Sequence, residues 1–140
     1  MRATAYLYFA GNCAEALQFY REAIGADIRA LVRFGDMQGA PSDAENKADA
    51  KDKVMHAELG IGDSTIFASD GQATERSSGG YAISLLAADD AEAEQFFTAL
   101  AVEGKVSVPL MTTPFASRFG MTTDKYGTPW IVTTPPAAFG

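Results

Sequence analysis

The sequence predicts an α+β fold built from two βαβββ units, eight strands in all, and three observations predict it. Residues 14–20 (AEALQFY) return as residues 91–97 (AEAEQFF), with five of seven positions identical. An apolar run and a turn precede each copy, TAYLYFAGNC before the first and GYAISLLAADD before the second. Three further strand-like runs separated by turn residues follow each copy. The units are expected over residues 1–70 and 78–140 of a single 140-residue domain.

Thr4–Phe9 and Tyr81–Leu86, rich in aromatic and aliphatic residues, are the predicted opening strands. Asn12 and Asp89 stand where helix N-caps belong, each with a Glu three residues on (Glu15, Glu92), in a variant of the capping box. Cys13, Ala16, Leu17, Tyr20 and Ile24 then form one apolar stripe, and Ala93, Phe96, Phe97 and Leu100 form another. Gly25 and Gly104 mark the two helix ends. Three strands close the first unit, Asp27–Phe34, Lys53–Gly60 and Ser64–Ser69, with Ile61-Gly62-Asp63 as the tight turn. Lys105–Met111, Ser117–Thr123 and Trp130–Thr134 close the second, with Asp124-Lys125-Tyr126-Gly127 as the corresponding turn.

Residues 35–52 (GDMQGAPSDAENKADAKD) break the symmetry. They read as a long mobile loop, either a lid over a pocket or a solvated insertion. Residues 71–80 (GQATERSSGG) read as the linker between units. Eleven Lys+Arg against 18 Asp+Glu give a net charge of -7. The basic footprint of a nucleic-acid binder is therefore missing. No apolar run approaches the roughly 20 residues that span a bilayer, so no membrane partner is expected. The N-terminus lacks the long apolar core of a signal peptide, and the single Cys cannot make an internal disulfide. A cytoplasmic location is the expectation. Neither G-x-x-x-x-G-K-[ST] nor a strand-linked G-x-G-x-x-G occurs, so no nucleotide cofactor is expected.

YLYFAGNCAEALQFY, KDKVMHAELGIGDSTIFASD and FGMTTDKYGTPWIV resemble PhnB-like proteins of the vicinal oxygen chelate superfamily. That superfamily holds glyoxalases, bleomycin-resistance proteins and extradiol dioxygenases, and PhnB-like members are often labelled 3-demethylubiquinone 3-methyltransferase-like. The resemblance covers nearly the whole chain outside residues 35–52. It implies a curled, eight-stranded mixed sheet with helices outside, a ligand cleft, and a homodimer. It also implies four metal ligands on the first and last strands of each unit. Those positions fall on or beside Ala5, Phe67, Ile83 and Ile131, which carry no metal-binding side chain. No metal and no cofactor are therefore expected. The methyltransferase label finds no support either, because a doubly wound cofactor fold needs alternating strands and helices.

His56, the only histidine, is paired by strand alternation with Val54 and Glu58 on one face, and Met55, Ala57 and Leu59 take the other. With the apolar set against a helix, His56 and Glu58 face the cleft as a candidate acid–base pair. The competing reading is a polar strand face with no chemistry. Cys13 belongs to the helix stripe as a small core residue. Tyr6, Tyr8, Phe67, Phe115 and Trp130 are candidate ligand-stacking aromatics, or else core. Arg118, mid-strand, is a candidate anion-binding group or a solvated side chain. Two functions remain open: a protein that binds a small molecule in an apolar cleft without metal, and an enzyme of the vicinal oxygen chelate type using His56 and Glu58.

Overall fold

The computed structural model describes residues 1–36, 50–70 and 80–135. The chain divides into two compact units, Met1–Arg76 and Ser77–Gly140, each with one four-stranded mixed sheet and one long helix. Unit 1 contains β1 (Tyr6–Tyr8), α1 (Cys13–Ile24), β2 (Asp27–Arg33), β3 (Val54–Ile61) and β4 (Ser64–Ser69). Its strand order is β1-β4-β3-β2, with β1 parallel to β4 and the other pairs antiparallel. Unit 2 repeats this with β5 (Ile83–Leu86), α2 (Asp90–Ala101), β6 (Lys105–Thr113), β7 (Ala116–Thr123) and β8 (Pro129–Thr133). Its order is β5-β8-β7-β6, with β5 parallel to β8. Of the two expected loops, residues 37–49 and 71–79 lie outside the described residues.

The repeat extends to individual hydrogen bonds. Phe9 N donates to Ser69 O as Ala87 N donates to Thr133 O. Asp70 N donates to Val54 O as Thr134 N donates to Arg118 O. Strand register then equates Tyr6 with Ser84, Phe67 with Ile131 and His56 with Phe119.

Helical periodicity sets both cores. Cys13, Ala16, Leu17, Tyr20 and Ile24 are the buried residues of α1, which packs on β2 and β3. Burying each large apolar side chain of this kind contributes about 2 kcal/mol. In α2 the buried residues are Ala93, Phe97 and Leu100, whereas Phe96 is only half-buried. Pro109 is accommodated because β6 is an edge strand, with register shifts on both sides of it.

Three local expectations are corrected. Asn12 makes no side-chain cap bond; an acceptor distant in sequence, Asp70, takes that role. Asp89 does cap α2, accepting from Glu92 N, while Glu92 Oε1 reaches back to Ala88 N. The second helix ends without a glycine in the left-handed region, which Glu103 occupies instead (φ 58°). Gly104 serves close packing, since a Cβ there would collide with the Thr123 carbonyl oxygen. Finally, Val54 leaves the His56 face. A register shift pairs Val32 with His56 but Arg33 with Val54, and Val54 turns into the core with Ala57 and Leu59.

Candidate functional site

The face of the unit 1 sheet opposite α1 gathers most of the predicted site residues. Glu58 pairs with Phe67, and Phe67 pairs with Tyr6, so three adjacent strands present these side chains in one row. The next row carries His56 and Tyr8. Tyr6 Oη lies 2.9 Å from His56 Nδ1, within hydrogen-bonding distance. The Tyr6 and Tyr8 rings stack at 4.9 Å, Tyr6 meets Phe67 edge-on at 6.0 Å, and His56 lies 5.0 Å from Phe67. Tyr6 and Tyr8 are exposed, whereas His56, Glu58 and Phe67 are half-buried.

His56 thus has Tyr6, not Glu58, as its hydrogen-bond partner among the described residues. Residues two apart on a strand stand about 7 Å apart, too far for a direct bond without bending toward each other. The long Tyr6 side chain reaches instead across the intervening strand β4. Sequence reasoning missed Arg29. A register shift between Ile28 and Ala30 accompanies its turn toward Gly60, which has no Cβ to block the guanidinium. Arg29 donates to Thr65 Oγ1 at 2.9 Å and lies 3.8 Å from the Asp27 carboxylate. A glycine inside a strand was the available signal of such a close approach.

The other candidates belong to unit 2. Phe115 occupies the β6–β7 turn, 58% exposed, edge-on to Phe119 at 5.2 Å. Arg118 turns toward α2, where its guanidinium pairs with Glu94 at 3.3 Å and Asp90 at 3.4 Å. Trp130 is 1% exposed and donates its indole N–H to Asp124 Oδ2 at 2.8 Å. Its register neighbour Thr122 is buried as well, and a Cβ on Gly120 of the same face would meet Phe97 of α2. Trp130 therefore lies on the helix-packed side of its sheet. Asp124, read from sequence only as a turn residue, also accepts from Tyr126 N and Thr128 N.

In the register Phe67 pairs with Tyr6, beside Ala5, and Ile131 pairs with Ser84, beside Ile83. Phe67 and Ile131 offer no donor atom, and a phenol or a hydroxyl by itself is a poor claim on a divalent cation. No three His, Cys, Asp or Glu side chains come together among the described residues. The side chains present do not fit the metal that the resemblance implies. In unit 2 a shallow depression lies beside the start of α2, where Ser117 Oγ bonds both Asp90 Oδ1 and Thr134 Oγ1 and these polar groups satisfy one another.

Comparison with known proteins matches residues 1–133 to a family described as 3-demethylubiquinone-9 3-methyltransferase. Protein YjdN of Escherichia coli (strain K12) is 33% identical over 138 residues, covering 94% of each chain. Among solved structures, protein PA1353 from Pseudomonas aeruginosa is 39% identical, with a TM-score of 0.82 over 96% of this chain and 98% of that one. A PhnB protein from Bacillus cereus, titled a putative 3-demethylubiquinone-9 3-methyltransferase, has 24% identity and a TM-score of 0.78 over 96% and 99%. A glyoxylase/bleomycin resistance protein/dioxygenase domain from Frankia sp. EAN1pec shares the fold at 11% identity, TM-score 0.63, over 99% and 93%.

Proposed function

This chain belongs to the 3-demethylubiquinone-9 3-methyltransferase family, PhnB-like proteins with the glyoxalase/bleomycin-resistance/dioxygenase fold, and we propose that it binds a small organic molecule on the aromatic face of unit 1 without a metal. The observation that carries this reading is the row Glu58–Phe67–Tyr6, with His56 held against Tyr6. Aromatic walls with few polar groups are the usual makings of a ligand site. The engagements of Trp130 and Arg118 within unit 2 favour structural roles. Methyl transfer, named in the family description, gains no support from the fold. Each sheet has a single parallel strand pair, not the doubly wound arrangement that holds a nucleotide-derived methyl donor. A homodimer in the cytoplasm completes the proposal, supported by the open sheet edges at β1, β2, β5 and β6.

Titration of the ¹⁵N-labelled protein with phenol and with catechol tests the binding reading. Shifts concentrated at the amides of Tyr6, His56, Glu58 and Phe67 are expected. Shifts confined to other residues, or none at millimolar probe, overturn it. The Tyr6–His56 hydrogen bond favours a second reading, an enzyme of the vicinal oxygen chelate type with His56 and Glu58 as acid and base. Deuterium uptake from D2O at the carbon beside the carbonyl of dihydroxyacetone, catalysed by the native protein and not by His56→Ala, would select the enzyme. Bound phenol or catechol with no such exchange would select the binding protein.

A further inference from the structure

We infer that the ligand of this face is a compact organic cation, such as a methylated ammonium group, seated in the corner formed by Tyr6, Phe67 and Glu58. This inference rests on the reading of the unit 1 face as the binding site and adds the charge class of its ligand. The Tyr6 and Phe67 rings stand 6.0 Å apart with 65° between their planes, so they form two walls rather than one stacked slab. Tyr8 stacks against one face of Tyr6, with 25° between the rings, and supports that wall. Aromatic faces carry negative electrostatic potential, and a cation within about 6 Å of a ring centroid is drawn to them.

The third wall is charged. Glu58 stands beside Phe67 on the adjoining strand, half-buried. Its carboxylate makes no hydrogen bond or ion pair among the described residues. Arg29, a cationic side chain of the same unit, lies over Gly60 one row away, already bonded to Thr65 and paired with Asp27. His56, against the Tyr6 and Phe67 rings, is occupied through Nδ1 by Tyr6. An anionic ligand would meet Glu58 head on, and a neutral ring would leave a half-buried carboxylate unanswered. A methylated cation answers the carboxylate and offers polarised methyl groups to the rings. The net charge of -7 favours its approach.

The test compares choline with 3,3-dimethylbutan-1-ol, which has the same shape without the charge, by ¹H–¹⁵N spectra of the full chain at low salt. Choline is expected to shift Tyr6, Glu58 and Phe67 and to saturate at about tenfold lower concentration than the alcohol. Glu58→Gln should remove that advantage, so that the two probes saturate at similar concentrations. Added salt should weaken choline and spare the alcohol in the unmutated protein, a measurement that needs no variant to fold. Equal binding of both probes at this face overturns the cation and leaves the binding face standing. No shift there with either probe or with phenol overturns both.

Discussion

The carboxylate of Asp70 accepts the backbone N–H of Cys13 at 2.9 Å across 57 residues of sequence. The same oxygen accepts from Gly11 N at 3.0 Å, and the other from Val54 N at 2.8 Å. One side chain at the end of β4 thus fastens the start of α1 and the start of β3, the strand that carries His56. Asp70→Ala leaves three backbone donors without that acceptor. It is expected to cost about 3 kcal/mol in urea unfolding, whereas Asn12→Ala, whose side chain caps nothing, should cost less than about 0.5 kcal/mol.

Asp124 and Trp130 form a different anchor in unit 2, with the indole N–H donated into the carboxylate at 2.8 Å. Asp124→Ala removes the acceptor shared by that indole, Tyr126 N and Thr128 N. A loss of about 3 kcal/mol is expected. Trp130 is the only tryptophan, so its fluorescence reports this transition directly. A double-mutant cycle with Trp130→Phe should give a coupling above about 0.5 kcal/mol, and a coupling near zero would deny the bond any energetic weight.

Gly104 and Gly62 separate two reasons for glycine. A Cβ on Gly104 would strike the Thr123 carbonyl, a backbone atom that cannot swing aside. Gly62 has open space but a φ of +55°. Gly104→Ala is expected to lower stability by about 2–3 kcal/mol through forced backbone displacement. Gly62→Ala should cost about 1 kcal/mol from conformation alone. Thermal unfolding of the two variants should rank them in that order.

Glu103 carries the opposite fault, a side chain in the left-handed region at φ 58°. Its exposed ion pair with Lys125, at 3.5 Å, is worth little. Glu103→Gly is expected to raise stability by about 0.5–1 kcal/mol, read as a higher urea midpoint with unchanged slope. A lowered midpoint would mean that the ion pair outweighs the strain.

The sequence by itself determined the repeat, the strand and helix order, and the buried stripe Cys13, Ala16, Leu17, Tyr20 and Ile24. Those features have periods of two or 3.6 residues, so neighbouring letters carry them. The placement of His56 and Glu58 opposite the helix was legible for the same reason, whereas Val54 was not, because a register shift interrupts the alternation. Tertiary structure alone decided the partners. His56 bonds Tyr6 rather than Glu58, Asp70 replaces Asn12 at the helix start, and Arg29 lies over Gly60. It also sent Trp130 to the helix side and drew Arg118 to Asp90 and Glu94. Each of these depends on which strands lie side by side and in which register, a choice made by the packed sheet and not written in any local run of residues.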